Sequence, residues 1–257
     1  MPSPSASRRP GRIPGKSPSL EGLGLKILAF ETSAKAASVA LMENGKLLGE
    51  AYQNTGLTHS QTLMVMAEDM LKACNLTAKD VEVVAVAAGP GSFTGVRIGV
   101  AAAKGFAWGG ELPCYGVSTL EAMARNLGAY QGYVVPAMDA RRSQVYTAIF
   151  HVEKGAFTRV AEDMAISLEE LKVKIKNFQE PVFLVGDGAL LCYNTLLEEV
   201  PGLVLPPEHR MHQRAAGVAL AAQVMMDAGE PGNGAELTPN YLRLSQAERE
   251  RASRENK

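Results

Sequence analysis

The sequence predicts an α/β protein built as two units, each a mixed β-sheet carrying helices. Three observations carry this. The chain opens with strand, turn, strand, hairpin and strand, and only then alternates helix with strand; that order gives a sheet with both antiparallel and parallel neighbours. A similar order of elements starts again near Gly128 to Gly132, without any repeat at the level of residues. The chain has 257 residues, 46% of them hydrophobic, enough for one large domain or two lobes with real cores.

The elements follow in order. Residues 26–30 read as a buried strand. Residues 38–42 and 47–52 flank Asn44-Gly45, the pair that most readily takes the left-handed backbone of a two-residue hairpin turn. Thr58 is placed to cap a helix over 59–74, where Leu63, Ala67, Met70 and Cys74 recur at helical spacing. Thr77 and Asp80 mark a turn before the apolar run 81–88, which reads as a buried strand. A glycine-rich turn leads into a helix over 95–108, then a short strand at 113–117 and a helix over 118–127. In the second unit, 133–138 is a strand ending in Asp139, 144–151 a second and 156–160 a third. A helix over 167–177 follows, then a strand at 182–185 leading to Gly186-Asp187-Gly188, a helix over 189–200 and an Ala-rich helix over 212–228. The domains expected are a disordered basic Ser/Pro-rich extension (1–24), a first lobe (25–128), a second lobe (129–246) and a charged tail that frays (247–257).

Composition excludes several classes. The three cysteines, Cys74, Cys114 and Cys192, are odd in number, far apart and without a CxxC, which fits buried thiols in a reducing, cytoplasmic setting. No apolar run approaches the roughly 20 residues that span a membrane. Residues 1–24 lack the apolar centre of a secretory signal. They carry Arg8, Arg9, Arg12 and Lys16 against Glu21, net +3, which leaves the rest at −4. The extension reads as a basic arm, as a dispensable tail, or as sequence upstream of a native start at Leu25. The mildly acidic body has no stripe of clustered Lys and Arg after residue 24, which argues against a chain that grips nucleic acid unaided.

The chemistry concentrates in Gly89-Pro90-Gly91-Ser92-Phe93-Thr94-Gly95-Val96-Arg97-Ile98-Gly99. Glycines at a strand-to-helix turn let backbone approach an anion, and the N–H groups and dipole at a helix start favour negative charge. Ser92 or Thr94 can cap the helix, and Arg97 in its first turn can supply a cation. Gly89, Gly91, Ser92, Thr94, Gly95 and Arg97 are therefore candidate phosphate or nucleotide contacts. A tight structural turn explains the same residues. The spacing excludes a Walker loop, since Val96 follows Gly95, and the dinucleotide fingerprint, since the next glycine comes one residue late. Asp139, at a strand end, either orients a nucleotide or magnesium ion or caps the next turn with Arg141. Gly186-Asp187-Gly188 either approaches an adenosine or turns tightly. Of His59, His151, His209 and His212 only the last two are close, at an expected helix start that favours capping over metal binding. No Ser-His-Asp or Cys-His constellation is present, and no catalytic residue or metal site is assigned.

Several of these segments together resemble one family. Phe30-Glu31-Thr32-Ser33, the loop from Gly89 to Gly99, Gly116-Val117-Ser118-Thr119-Leu120, Met138-Asp139-Ala140-Arg141 and Pro239-Asn240-Tyr241-Leu242-Arg243 are similar to the TsaB (YeaZ) family, in order over about 25–245. That family is a subunit of the bacterial machinery that makes threonylcarbamoyladenosine in tRNA. The resemblance implies the two-lobed actin, sugar-kinase and Hsp70-like fold, with a five-stranded sheet in each lobe. It adds Glu31, Thr32 and Ser33 to the candidate phosphate contacts, with Glu31 where the superfamily usually has Asp; Thr32 and Ser33 equally well satisfy the turn. The related catalytic subunit TsaD holds a metal with a His-x-x-x-His pair. Thr119 and Met123 stand at those positions here, and neither is a comparable ligand.

The resemblance therefore implies a non-catalytic activating subunit. Its partners would be a TsaD-like metalloprotein, a TsaE-like ATPase and, through the complex, tRNA modified at N6 of adenosine 37. No intrinsic cofactor is expected, with ATP or ADP at a composite site. The expected partner surface is Leu63, Met64, Met66, Met70 and Leu71 on one helix with Gly95, Gly99 and Ala103 on the next, and the same surface would support a homodimer. Methionine suits adaptable contacts, and small residues let a partner helix come close. The alternatives are an autonomous ATPase or small-molecule kinase of this fold, and a stand-alone regulatory homodimer.

Overall fold

A computed structural model describes residues 24–243; the extension up to residue 23 and the tail at 247–257 lie outside the described residues. The first unit runs β1 (Lys26–Glu31), β2 (Ala37–Glu43), β3 (Lys46–Gln53), α1 (His59–Ala73), β4 (Val83–Gly89), α2 (Phe93–Gly110), β5 (Cys114–Ser118) and α3 (Thr119–Arg125). The second runs β6 (Gly132–Asp139), β7 (Gln144–Glu153), β8 (Ala156–Ser167), α4 (Leu168–Ile175), β9 (Val182–Val185), α5 (Ala189–Leu196) and β10 (Leu203–Val204). Two helices close the series, α6 (Glu208–Met211) and α7 (Ala215–Asp227).

The sheets are ordered β3-β2-β1-β4-β5 and β10-β9-β6-β7-β8. They share one plan. The first strand of each unit is central, paired antiparallel with its hairpin on one side and parallel with a later strand on the other: β1 with β2 and β4, β6 with β7 and β9. Asn44 and Gly45 both take left-handed φ, 50° and 74°, as the β2–β3 turn requires. The central strands are covered on both faces, which is why β1 and β4 read as unbroken apolar runs.

Local chemistry sets the helix starts. Ser92, Ser118 and Ser167 cap α2, α3 and α4, each hydroxyl accepting a backbone N–H three residues on. In α4 the Glu170 carboxylate also accepts the Ser167 N–H at 2.8 Å, completing a reciprocal box. Thr58 stands at the cap position of α1, but its side chain makes no capping bond; the Gln61 N–H is held by the Thr58 carbonyl at 3.0 Å.

Three features differ from the sequence expectations. Strand β8 extends to Ser167, well past residue 160. Its second half is rich in acid and reads as loop, yet it is an edge strand, where charge is tolerated, and Asp163 is paired with Arg159 at 2.8 Å. Strand β10 has two residues, too few for any periodicity to show. The third difference concerns lobe boundaries. Helix α7 falls in the segment assigned to the second lobe, but it covers the first sheet, with Val218, Ala219 and Ala222 in one apolar cluster with Ile27, Ala29 and Ala85. Small residues permit this close seat: a Cβ on Gly217 would lie 2.0 Å from the Ala122 carbonyl oxygen of α3. The N-terminus of α7 is fastened to the first sheet as well. The Ala215 N–H donates to the Ser38 hydroxyl (3.1 Å), the Ala216 N–H to Glu50 (3.2 Å), and Arg214 pairs with Glu50 at 2.5 Å.

Helix α3 lies between the lobes. Ala122 packs into the cluster under the first sheet, while Leu120, Met123 and Ala124 pack with Val134, Met138 and Phe150 of the second.

Candidate functional site

The carboxyl ends of β1, β4, β6 and β9 meet in one cleft between the lobes. A cavity of about 450 Å³ is walled by the segments that leave these strands: Ser33 to Lys35 after β1, Pro90 to Phe93 after β4, Asp139 to Arg141 after β6 and Asp187 after β9. This is where open α/β sheets place ligands, since loops from adjacent parallel strands diverge there. A second cavity of about 280 Å³ shares Ala34, Lys35, Asp139, Arg141 and Asp187 with the first and extends it to His212 and Gln213.

The glycine loop is held firmly. Gly89 takes a φ of 118°, and the Gly89–Pro90 bond is cis. The Ser92 N–H donates to the Ser33 carbonyl at 2.7 Å, and the Thr32 hydroxyl donates to the Gly95 carbonyl at 2.8 Å. A Cβ on Gly91 would lie 2.5 Å from the Ser33 carbonyl oxygen, and one on Gly95 2.1 Å from that of Thr32. These glycines thus bring the turn after β1 and the start of α2 into direct contact. In the first turn of α2, 18 residues long, the Gly95 N–H is taken by the Ser92 hydroxyl and the Val96 N–H by the Ser92 carbonyl.

Residues 235–243 form a strap over this loop. The Asn240 N–H donates to the Ala88 carbonyl at 2.6 Å, Lys104 Nζ donates to the carbonyls of Ala235 and Leu237, and Arg243 donates to the Ala140 carbonyl at 2.8 Å. The strap thereby ties the first lobe to the second across the cleft mouth.

Of the ten candidate phosphate or nucleotide residues, Ser33, Gly91, Ser92 and Asp139 line the cleft. Glu31, Thr32, Gly89, Thr94, Gly95 and Arg97 are not among its lining residues. Glu31 is fully buried; it accepts the Ser33 N–H at 2.6 Å through Oε1, and Oε2 has no hydrogen-bond partner among the described residues. Burial pushes its carboxyl up to about 7. Arg97 donates to the Tyr241 hydroxyl at 2.7 Å and lies 3.8 Å over the Phe93 ring, so it serves the strap and not the cleft floor. Asp139 accepts the Arg141 N–H at 2.7 Å, which supports its capping role, while it also faces the cleft. Asp187 keeps open surface in the cleft, yet protein atoms crowd its carboxyl; that desolvation, aided by the charge of Asp139, raises it above its ordinary value. The open surface limits the shift.

The expected partner surface needs correction in the same terms. Gly95, Gly99 and Ala103 face inward: a Cβ on Gly99 would lie 2.4 Å from Thr32 Oγ1, and Ala103 is in the core. Leu63, Met70 and Leu71 are core residues too, and Met66 is half-buried. On the outer face stand Met64 (44% exposed) and Val65 (56%) of α1, with Trp108 (85%) of α2. Ala101 and Gly105 lie seven and three residues before Trp108, so they share its face, and both are exposed. The sequence did hold this signal: the only tryptophan stands at helical spacing from two small residues. The strap residues Asn240 to Arg243 were visible as a motif, but nothing local showed where they would fold.

Thr119 and Met123, which the resemblance sets in place of a metal-binding pair, are both fully buried in α3 between the lobes. An alcohol and a thioether sealed in that place do not fit a metal site of imidazole ligands.

Two like-folded sheets around an interlobe cleft define a two-lobed protein of the actin and sugar-kinase class. The structure of YeaZ from Pseudomonas aeruginosa superimposes with a TM-score of 0.72 at 26% identity, covering 85% of this chain and all of that one. A second Pseudomonas aeruginosa structure, described as similar to peptidase YEAZ, gives 0.73 at 27% identity over the same shares. A profile of the family described as TsaD, tRNA N6-adenosine threonylcarbamoyltransferase, matches residues 53–250. The tRNA threonylcarbamoyladenosine biosynthesis protein TsaB of Bacillus subtilis is 32% identical over 226 residues, 87% of this chain and 96% of that protein. TsaB of Escherichia coli is 36% identical over 149 residues, 57% of this chain and 64% of that protein. The chain belongs to the TsaB family of tRNA threonylcarbamoyladenosine biosynthesis proteins.

Proposed function

We propose that this chain is the non-catalytic subunit that stabilises and activates a TsaD-like threonylcarbamoyl transferase acting on N6 of adenosine 37 in tRNA. The observation that carries this is helix α3. It lies in the stretch that matches the related transferase family, and it holds Thr119 and Met123, both buried, where the resemblance to that enzyme implies a pair of metal-binding histidines. The partner supplies the chemistry, and this chain supplies surface.

The outer face of α1 and α2 is the surface for that partner. Gly105 supports the assignment: it sits inside an 18-residue helix, and apart from that helix's own backbone and its chain neighbours no described atom lies within 4 Å of where its Cβ would be. A mid-helix glycine costs about 0.5–1 kcal/mol relative to alanine. Nothing among the described residues requires it, whereas a closely packed partner would. The same face permits self-pairing. A TsaE-like ATPase would join the assembly, and ATP or ADP would bind at a site completed by partners, using Ser33, Ser92 and the first turn of α2. A role in tRNA modification sets the chain in the cytoplasm. No helix among the described residues is long and apolar enough to cross a membrane.

The test is threonylcarbamoyl transfer to tRNA, reconstituted from the TsaD-like, TsaE-like and adenylate-forming proteins with and without this chain. Activity only in its presence, and none when it replaces the TsaD-like protein, is the expected result. Equal activity without it would sink the proposal.

A further inference from the structure

Cations from four separate segments converge on the mouth of the interlobe cleft. Lys35, Arg141 and Arg243 line the cavity, from the turn after β1, the β6–β7 turn and the strap. Arg97, on α2, joins them through its bond to Tyr241, which also lines the cavity. Arg142 is exposed beside Arg141. The sequence hides this cluster because its members are far apart, and the body of the chain is acidic.

Two further observations say what such a rim fits. The β6–β7 turn holds Arg141, Arg142 and Ser143 at φ values of 66°, 57° and 55°, three successive non-glycine residues in left-handed conformation. Backbone of that kind is disfavoured and persists where the surroundings impose it, commonly at ligand clamps. Here the turn is fixed from below by the Asp139 carboxylate, which accepts the Arg141 N–H and lies 3.8 Å from the Arg141 guanidinium, a side chain still 87% exposed. The second observation is aromatic. Tyr241, 40% exposed, stacks on Phe93 with ring centroids 4.9 Å apart, and Arg97 braces the pair. A solvent-facing aromatic plane beside a row of cations is the arrangement that holds single-stranded nucleic acid, phosphates on the cations and a base on the ring. Asp139 and Asp187 face the same cavity, so an extended polyanion meets cations at the rim and carboxylates deeper in.

We propose that this rim is where the chain holds an RNA: the sugar–phosphate backbone along Lys35, Arg141 and Arg142, with an unpaired base against Tyr241. The inference rests on the proposed function, in that it supplies the surface through which the assembly meets its tRNA. It is tested on the assembled complex by tRNA affinity across a salt series, alongside the affinity of the chain for the TsaD-like partner. Arg141→Ala with Arg142→Ala should weaken tRNA binding roughly three- to tenfold near ~0.1 M salt and lower the salt slope by about 1 for each phosphate no longer paired. Tyr241→Ala should weaken binding with little change of slope, and Tyr241→Phe should restore it. Partner affinity should stay at the wild-type value throughout, which also shows that the variants are folded.

Unchanged tRNA affinity and slope in the double arginine variant would overturn the inference. Loss of partner affinity in parallel would overturn it too, marking the rim as a protein surface. If the same variants lose ATP binding but keep tRNA, the cations serve a nucleotide instead. The readout is binding, not transfer, so the two proposals fail separately. Transfer that does not need this chain, with RNA still held at the rim, sinks the first alone. Transfer that needs it, with rim variants binding tRNA normally, sinks the second alone.

Discussion

Glu31 ends β1 with a fully buried carboxyl raised to about 7 from an ordinary value near 4.5. The sign of its effect on stability follows from proton counting. Below pH 4.5 the group is protonated in both folded and unfolded chains and costs nothing. Between 4.5 and 7 the unfolded chain releases the proton while the folded chain keeps it, so stability falls as pH rises; above 7 the full cost is present. The raised value corresponds to at most about 3 kcal/mol at pH 8. Glu31→Gln keeps an acceptor for the Ser33 N–H and removes the charge. It should be more stable than the parent at pH 8, nearly equal at pH 5, and flatter in between, as read from urea midpoints at both values. A variant with the parent's pH dependence would show that the Glu31 charge is not what the burial makes it. At the same scale, Gly95→Ala should destabilise the chain at every pH, because its methyl would meet the Thr32 carbonyl oxygen. Backbone cannot step aside as a flexible side chain can, so a loss of about 2 kcal/mol or more is expected in the same measurement.

Helix α2 carries two sets of small residues, and they do opposite work. Gly95, Gly99 and Ala103 let it sit against Thr32 and the first sheet, whereas Ala101 and Gly105 face solvent. Gly99→Ala should therefore lower the melting temperature of the isolated chain. Gly105→Ala should raise it, by the equivalent of about 0.5–1 kcal/mol, since helix propensity improves and nothing is displaced. Gly105→Leu should leave the chain folded but weaken binding of the TsaD-like partner, as should Met64→Glu; calorimetric melts with a partner titration separate these outcomes. Undiminished partner affinity in both would remove this face from the interface. The same helix shows what periodicity makes legible and what it does not. A four-residue spacing of small residues was plain in the sequence, but whether that stripe points in or out depends on how the helix is rotated. The rotation is set by the bonds of Ser92 and Thr32 across the turn, the second of which joins residues 63 positions apart. Most of the element order, the Asn44-Gly45 hairpin and the Ser92 cap rest on neighbours in sequence, and they read correctly. The cleft cations and the strap rest on distant segments, and they do not.

At the scale of the whole molecule, the first lobe is not one stretch of chain. Its sheet has two apolar faces. One is covered by α1 and α2, which follow in sequence, and the other by α7, which arrives only after the second lobe is complete. A fragment of residues 24–128 lacks α7 and would expose Ile27, Ala29, Met42, Val83 and Ala85 to water on a five-stranded sheet. Exposing a buried aliphatic side chain costs about 1.5–3 kcal/mol, and a domain's net stability is only about 5–15 kcal/mol. The fragment should therefore fail to fold alone, giving no near-UV circular dichroism and little dispersion of amide resonances. Joining residues 212–243 to it through a flexible linker restores α7, the Ser38 and Glu50 bonds at its N-terminus, and the strap over the glycine loop. That chimera should recover both signals. A fragment of 24–128 that folds unaided would mean that α7 is an accessory layer, and that the second lobe could move relative to the first without cost to its core. The expected result instead makes α7 the structural link between the lobes: the partner-facing helices and the cleft share one sheet, and that sheet is complete only when the last helix has docked.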